Sequence, residues 1–75
     1  MKQIKINTPY ITLGQFLKIA DIASSGGEAK YLVKELNITV DKEPEDRRGR
    51  KLYPKMVVTV AGYGSYEIIW SIKLI

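Results

Sequence analysis

Two apolar stripes of identical helical spacing, followed by a change of period, constrain this chain more than anything else in it. Leu13, Phe16, Leu17 and Ala20 fall at i, i+3, i+4 and i+7, and Ala29, Leu32, Val33 and Leu36 repeat that spacing. Each set lies on one face of a 3.6-residue helix. Thr12 offers an N-cap to the first helix, and Gln15 three residues on completes a capping box. Ser24-Ser25-Gly26-Gly27 then breaks the chain and supplies a second cap, with Glu28 at the positive end of the new helix dipole. Two short helices joined by a tight glycine-containing turn make a hairpin that must bury its shared apolar side.

The remaining residues supply the surface for that hairpin. Ile4 and Ile6 alternate with polar neighbours in a short strand over residues 2–6. Ile38 and Val40 bracket Thr39 in another, and residues 41–45 predict a turn around Pro44. Met56 to Val60 is rich in β-branched residues, and a loop over residues 61–65 follows. Tyr66, Ile68, Trp70, Ile72 and Leu74 then share one face of a long strand, which places Trp70 in the core. The expected fold is α+β: a two-helix hairpin packed on a small, mainly antiparallel β-sheet, in a single domain over residues 1–75.

Several function classes fall away on residue types alone. The chain has no cysteine and no histidine, so disulfides, thiolate metal sites and histidine-based catalysis are all excluded. Asp41, Glu43, Glu45 and Asp46 lack the spacing of a calcium loop, and Ser24–Gly27 is not a nucleotide-binding glycine motif. The expectation is no enzyme, no cofactor, no metal and no small-molecule substrate. Nor is there a signal-peptide core or an apolar run of ~20 residues, which predicts a cytoplasmic protein that does not span a membrane.

Charge is the informative remainder. The net charge is +4, and it is concentrated: residues 47–55 hold Arg47, Arg48, Arg50, Lys51 and Lys55 with no acid. Arginine presents a planar fork suited to phosphate oxygens, and Gly49 permits close backbone approach. On charge alone, such a run is either a solvated turn or the grip for an anionic partner. Glu45 and Asp46 just before it either hold the arginines in place or partly neutralise them. Lys30 and Lys34, four apart on the second helix, share a face as phosphate contacts or as ordinary surface lysines, and Gly26 and Gly27 at its start either suit a phosphate or simply form a turn and cap. Tyr63, between two glycines, is a candidate exposed platform for a base.

Taken in order, the blocks ITLGQFLK, SGGEAK and EPEDRRGRKL resemble the small RNA-binding domain first named for ribosomal protein S-four, with its alpha-L RNA-binding motif. They are most similar to its stand-alone YaaA-like members. The family's L-x-x-F-L helix is matched by Leu13, Phe16 and Leu17, and its E-A-[RK] opening of helix two by Glu28, Ala29 and Lys30. The resemblance covers about residues 12–58. Thr12 and Gly26 stand where many members carry arginine, Asp41-Lys42 replaces a usual N-G, and Lys55-Met56 replaces a usual G-D. These replacements are expected to alter turn geometry rather than the core. The resemblance implies binding without catalysis to structured RNA, ribosomal or transfer RNA, and the expected partner is ribosomal RNA or an assembling ribosomal subunit, bound by a monomer. The implied contacts are Arg47, Arg48, Arg50, Lys51 and Lys55, with Lys30, Lys34, Gly26 and Gly27 opposite. The competing expectation is an accessory DNA-binding or protein-interaction factor in replication or recombination.

Overall fold

The computed structural model describes residues 1–71, in the order β1 (Lys2–Ile6), β2 (Ile11–Thr12), α1 (Leu13–Ile19), α2 (Gly26–Glu35), β3 (Ile38–Val40), β4 (Glu43–Pro44), β5 (Lys51–Leu52), β6 (Val57–Val60) and β7 (Gly64–Trp70). The α+β expectation holds. One sheet of five strands runs β1-β7-β6-β3-β4, antiparallel except for β1, which pairs parallel with β7 from Lys2↔Tyr66 to Ile6↔Trp70. A separate two-residue ladder joins β2 to β5 through Ile11↔Leu52 and Thr12↔Lys51.

Both helices start where their caps dictate. Thr12 and Gln15 form the reciprocal box: the Thr12 N–H donates to Gln15 Oε1 at 2.8 Å and the Gln15 N–H to Thr12 Oγ1 at 3.2 Å. Ser25 caps α2, its Oγ accepting from the Glu28 N–H at 3.1 Å. The connection differs from the glycine turn expected. Residues 20–25 contain no glycine, and Asp21 takes the left-handed backbone instead, at φ 61°. Gly26 and Gly27 lie inside the first turn of α2. The N–H groups of Ile22 and Ala23 both donate to the Leu17 carbonyl, which turns these two side chains into the core.

That core lies between the helices and one sheet face. Leu13, Phe16 and Leu17 of α1 and Ala29 and Val33 of α2 pack on Val40, Val58, Val60, Tyr66 and Ile68. Phe16 meets Tyr66 edge to face, with centroids 5.1 Å apart. Each fully buried large side chain contributes about 1.5–3 kcal/mol. Trp70 departs from its expected place. It keeps the parity of Tyr66 and Ile68 but ends β7, where the cover runs out, and it is 45% exposed. Ile72 and Leu74, expected on the same face, lie outside the described residues.

The turn near Pro44 is also relocated. Thr39↔Pro44 and Val40↔Glu43 are paired, so the reversal is made by Asp41 and Lys42 alone, and Pro44 sits in edge strand β4, where its missing N–H is harmless. Asp41 at φ 50° and Lys42 at φ 73° both occupy the left-handed region a tight hairpin of this hand requires. Asp41 is held there, its N–H donating to the Val57 carbonyl and its Oδ1 accepting from the Val57 N–H at 2.9 Å. Lys42 carries a Cβ in that region without such compensation. Lys42→Gly is expected to raise stability by about 0.5–1 kcal/mol, read as a higher urea midpoint at unchanged m-value.

Candidate nucleic-acid interface

The basic run is built around a buried carboxylate. Glu45 follows β4, donates its N–H to the Ile38 carbonyl at 2.9 Å, and is 8% exposed. Its Oε2 accepts from the Arg47 Nε at 2.8 Å and from the Arg47 backbone N–H at 3.1 Å. Its Oε1 accepts from Arg47 Nη2 at 3.0 Å and Arg50 Nη1 at 2.8 Å. This is the fork geometry in which charged hydrogen bonds are strongest. The Arg47 side chain holds the carboxyl down at about 2, with Arg50 adding to it and burial opposing both. The same bond raises the Arg47 guanidinium further. Of the two roles the sequence left open for Glu45, holding the arginines is thus built into the fold.

The backbone of the run docks on the start of α1. A helix leaves its first N–H groups without intrahelical partners. Here the Leu13 N–H donates to the Arg50 carbonyl at 2.8 Å and the Gly14 N–H to the Arg48 carbonyl at 2.9 Å, while Thr12 takes the next. Leu52, wholly buried in β5, anchors the far end of the run. Gly14 completes the fit: a Cβ built on it would lie 2.7 Å from Arg48 Cγ, so the arginine stem lies against bare backbone. Sequence reasoning missed Gly14. Its signal was a glycine inside an otherwise helical pattern. Gly49 is less constrained, with open space where a Cβ would stand.

Arg47, Arg48, Arg50 and Lys51 therefore form one cluster, four cations beside the two carboxylates of Glu45 and Asp46. Arg48 and Lys51 are exposed, and the Lys51 ammonium lies 4.9 Å from the Tyr10 ring centroid. Lys34 is brought to the edge of this cluster, lining a cleft of about 500 Å³ with Glu45 and Asp46. Lys30 is exposed one turn earlier, beside Tyr31, which is 62% exposed and was overlooked in the sequence. Gly26 and Gly27 begin α2, about 12 Å along the helix from Lys34. That end already holds an anion, because the Glu28 carboxylate accepts from the Ser24 N–H at 2.6 Å. Lys55 sits apart on the turn into β6, at φ 80°, its N–H donating to the Ile68 carbonyl of β7. Tyr63 is exposed in the β6–β7 loop.

A family model described as the S4 domain matches residues 4–69, which takes in both helices, the basic loop and the sheet. The chain belongs to the S4 domain family. It is also 52% identical over 66 residues, covering 88% of this chain and 93% of the relative, to the "Probable ribosome maturation protein RlbA" of Bacillus subtilis (strain 168). The family match takes in all of α1, α2 and the clamp at Glu45, so the features that shape the loop lie inside the S4 domain itself. Lys42 and Lys55, which replace the family's usual glycines, keep left-handed backbone and so carry charge at positions glycine would fill most easily.

Proposed function

We propose that this S4 domain is a non-catalytic binder of structured RNA, acting as a cytoplasmic monomer on ribosomal RNA or an assembling ribosomal subunit. The observation that carries this is the fixed loop: two backbone bonds to α1 and the Glu45 clamp hold the backbone from which Arg48 and Lys51 reach solvent, so the loop itself has little freedom to lose on binding. Membership of the S4 family and a relative described as a "Probable ribosome maturation protein" support the same partner. The absence of histidine and cysteine from the sequence supports binding without chemistry.

Duplex RNA is recognised by shape and backbone rather than by a base code, so little sequence preference is expected. Four to six phosphate contacts give a log–log dependence of affinity on salt of roughly −4 or steeper on a duplex. Titration of a ribosomal RNA stem between low and moderate salt reads that slope, and a matched DNA hairpin serves as control. Equal affinity for the DNA would sink the RNA assignment. Crosslinking in cells, followed by sequencing of the bound RNA, tests the ribosomal part, which fails unless ribosomal RNA is enriched over its abundance.

A further inference from the structure

A groove of about 710 Å³ runs between the β1–β2 connection and α1, outside the basic cluster. Its floor is core: Ile6 and Ile11 are 4% and 7% exposed. Its apolar walls are open among the described residues, with Tyr10 38% and Ile19 53% exposed. Lys5 and Lys18 stand on the rim, and no carboxylate of the described residues lines it. Gln15 is in the lining too. Its Oε1 accepts from the Thr12 N–H, which leaves the amide NH₂ as the end of the side chain able to donate. Tyr10 is braced by Tyr53, whose ring centroid is 5.7 Å away at 50°.

The composition narrows the occupant. A bare phosphate has no use for apolar walls, and an aliphatic segment has no use for two lysines and an amide donor. An unpaired nucleotide has both a flat apolar face and an anionic link. The volume lies within the range of sites for small organic groups. The groove is also continuous with the basic loop: Thr12, in its lining, is the register partner of Lys51, whose ammonium lies over Tyr10.

We infer that this groove receives an unpaired nucleobase of the bound RNA against Tyr10 and Ile19, with the flanking phosphates on Lys5 and Lys18. The assignment rests on RNA binding by the basic loop and adds to it a preference for stems that end in, or are interrupted by, single strand. Double-stranded segments meet the loop, and the first unpaired base beside them turns into the groove.

The test uses the full chain and two RNA hairpins that differ only by three unpaired nucleotides, one of them 2-aminopurine. The extended hairpin is expected to bind roughly fivefold or more tightly than the blunt one, in keeping with aromatic stacking of one base. The 2-aminopurine emission changes on binding. In Tyr10→Leu, which keeps an apolar side chain against the floor, the ratio of the two affinities falls toward one. Lys18→Gln, at an exposed helix position, lowers the same ratio and guards against a folding defect in the first variant. Equal affinity for the two hairpins with unchanged emission overturns the groove alone. Failure to bind either overturns RNA binding and the groove with it. A dimer that Ile19→Asp dissolves, with no change in emission, assigns the groove to a second copy and likewise overturns the proposal.

Discussion

Replacing Arg48 and Lys51 together by alanine is expected to weaken RNA binding about 50- to 100-fold in 0.1 M salt and to flatten the log–log salt slope by about two. The magnitude follows from counterion release, which makes each phosphate contact worth about eightfold at that salt. These two side chains are chosen because neither takes part in the Glu45 clamp, and both leave the backbone at points fixed to α1 or β2. Arg47 and Arg50 provide the contrast. Their guanidinium groups already face a carboxylate, so their removal should move the slope less and cost more stability. Fluorescence anisotropy with one ribosomal stem, repeated over a range of salt, distinguishes the two pairs. An unchanged slope in the Arg48, Lys51 variant would remove the loop from the interface.

Glu45→Gln is expected to destabilise the fold by about 1–2 kcal/mol at neutral pH and to flatten its acid sensitivity. The folded carboxyl titrates at about 2 against an ordinary 4.5. A depressed folded value means that the stabilisation is complete above pH ~4.5 and fades as the pH falls toward 2. The whole shift corresponds to about 3 kcal/mol at 1.36 kcal/mol per pH unit. The Arg47 side chain is 71% exposed, and screening by water lowers that figure to the range given. Urea midpoints at pH 7, 5 and 3 read the effect. A Glu45→Gln protein that loses as much between pH 5 and 3 as the parent would show that the acid limb arises elsewhere. RNA affinity adds a further discrimination, since the substitution makes the protein more positive by one charge. Weaker binding in spite of that charge would identify order, rather than potential, as what Glu45 contributes.

The parts of the fold that were legible in the sequence are those with local causes. The Thr12 and Gln15 box and the two apolar stripes involve residues three or four apart, so each helix declares itself within its own segment. The strand faces of Ile4 and Ile6, and of Tyr66 and Ile68, follow from alternation alone. What escaped depends on partners far along the chain. Nothing near Ile4 says that β1 lies parallel to β7, and the two-residue strands β2 and β5 are too short to carry a period. Gly14 is required by the stem of Arg48 on another loop. The left-handed backbone at Lys42 is set by the hairpin, not by the lysine. In the candidate site the charges themselves were plain. Their division was not, because only the folded chain shows that Glu45 takes two of the arginines and leaves Arg48 and Lys51 to the solvent.

The parallel pairing of β1 with β7 has a consequence for how the molecule comes into being. Residues 2–6 pair only with residues 66–70, so this strand is synthesised well before its partner and is among the last that can be seated. The entropy of closing that span must be lost before the pairing repays it, and non-local pairing of this kind slows folding relative to a helical bundle of the same size. The hydrogen bonds between the α1 start and the basic loop, with the β2–β5 ladder, involve only residues 11–52 and use no residue of β1 or β7. Those bonds settle into one fixed loop only once α1 is buried, because Leu13, Phe16 and Leu17 pack on Val58, Val60, Tyr66 and Ile68 of the finished sheet.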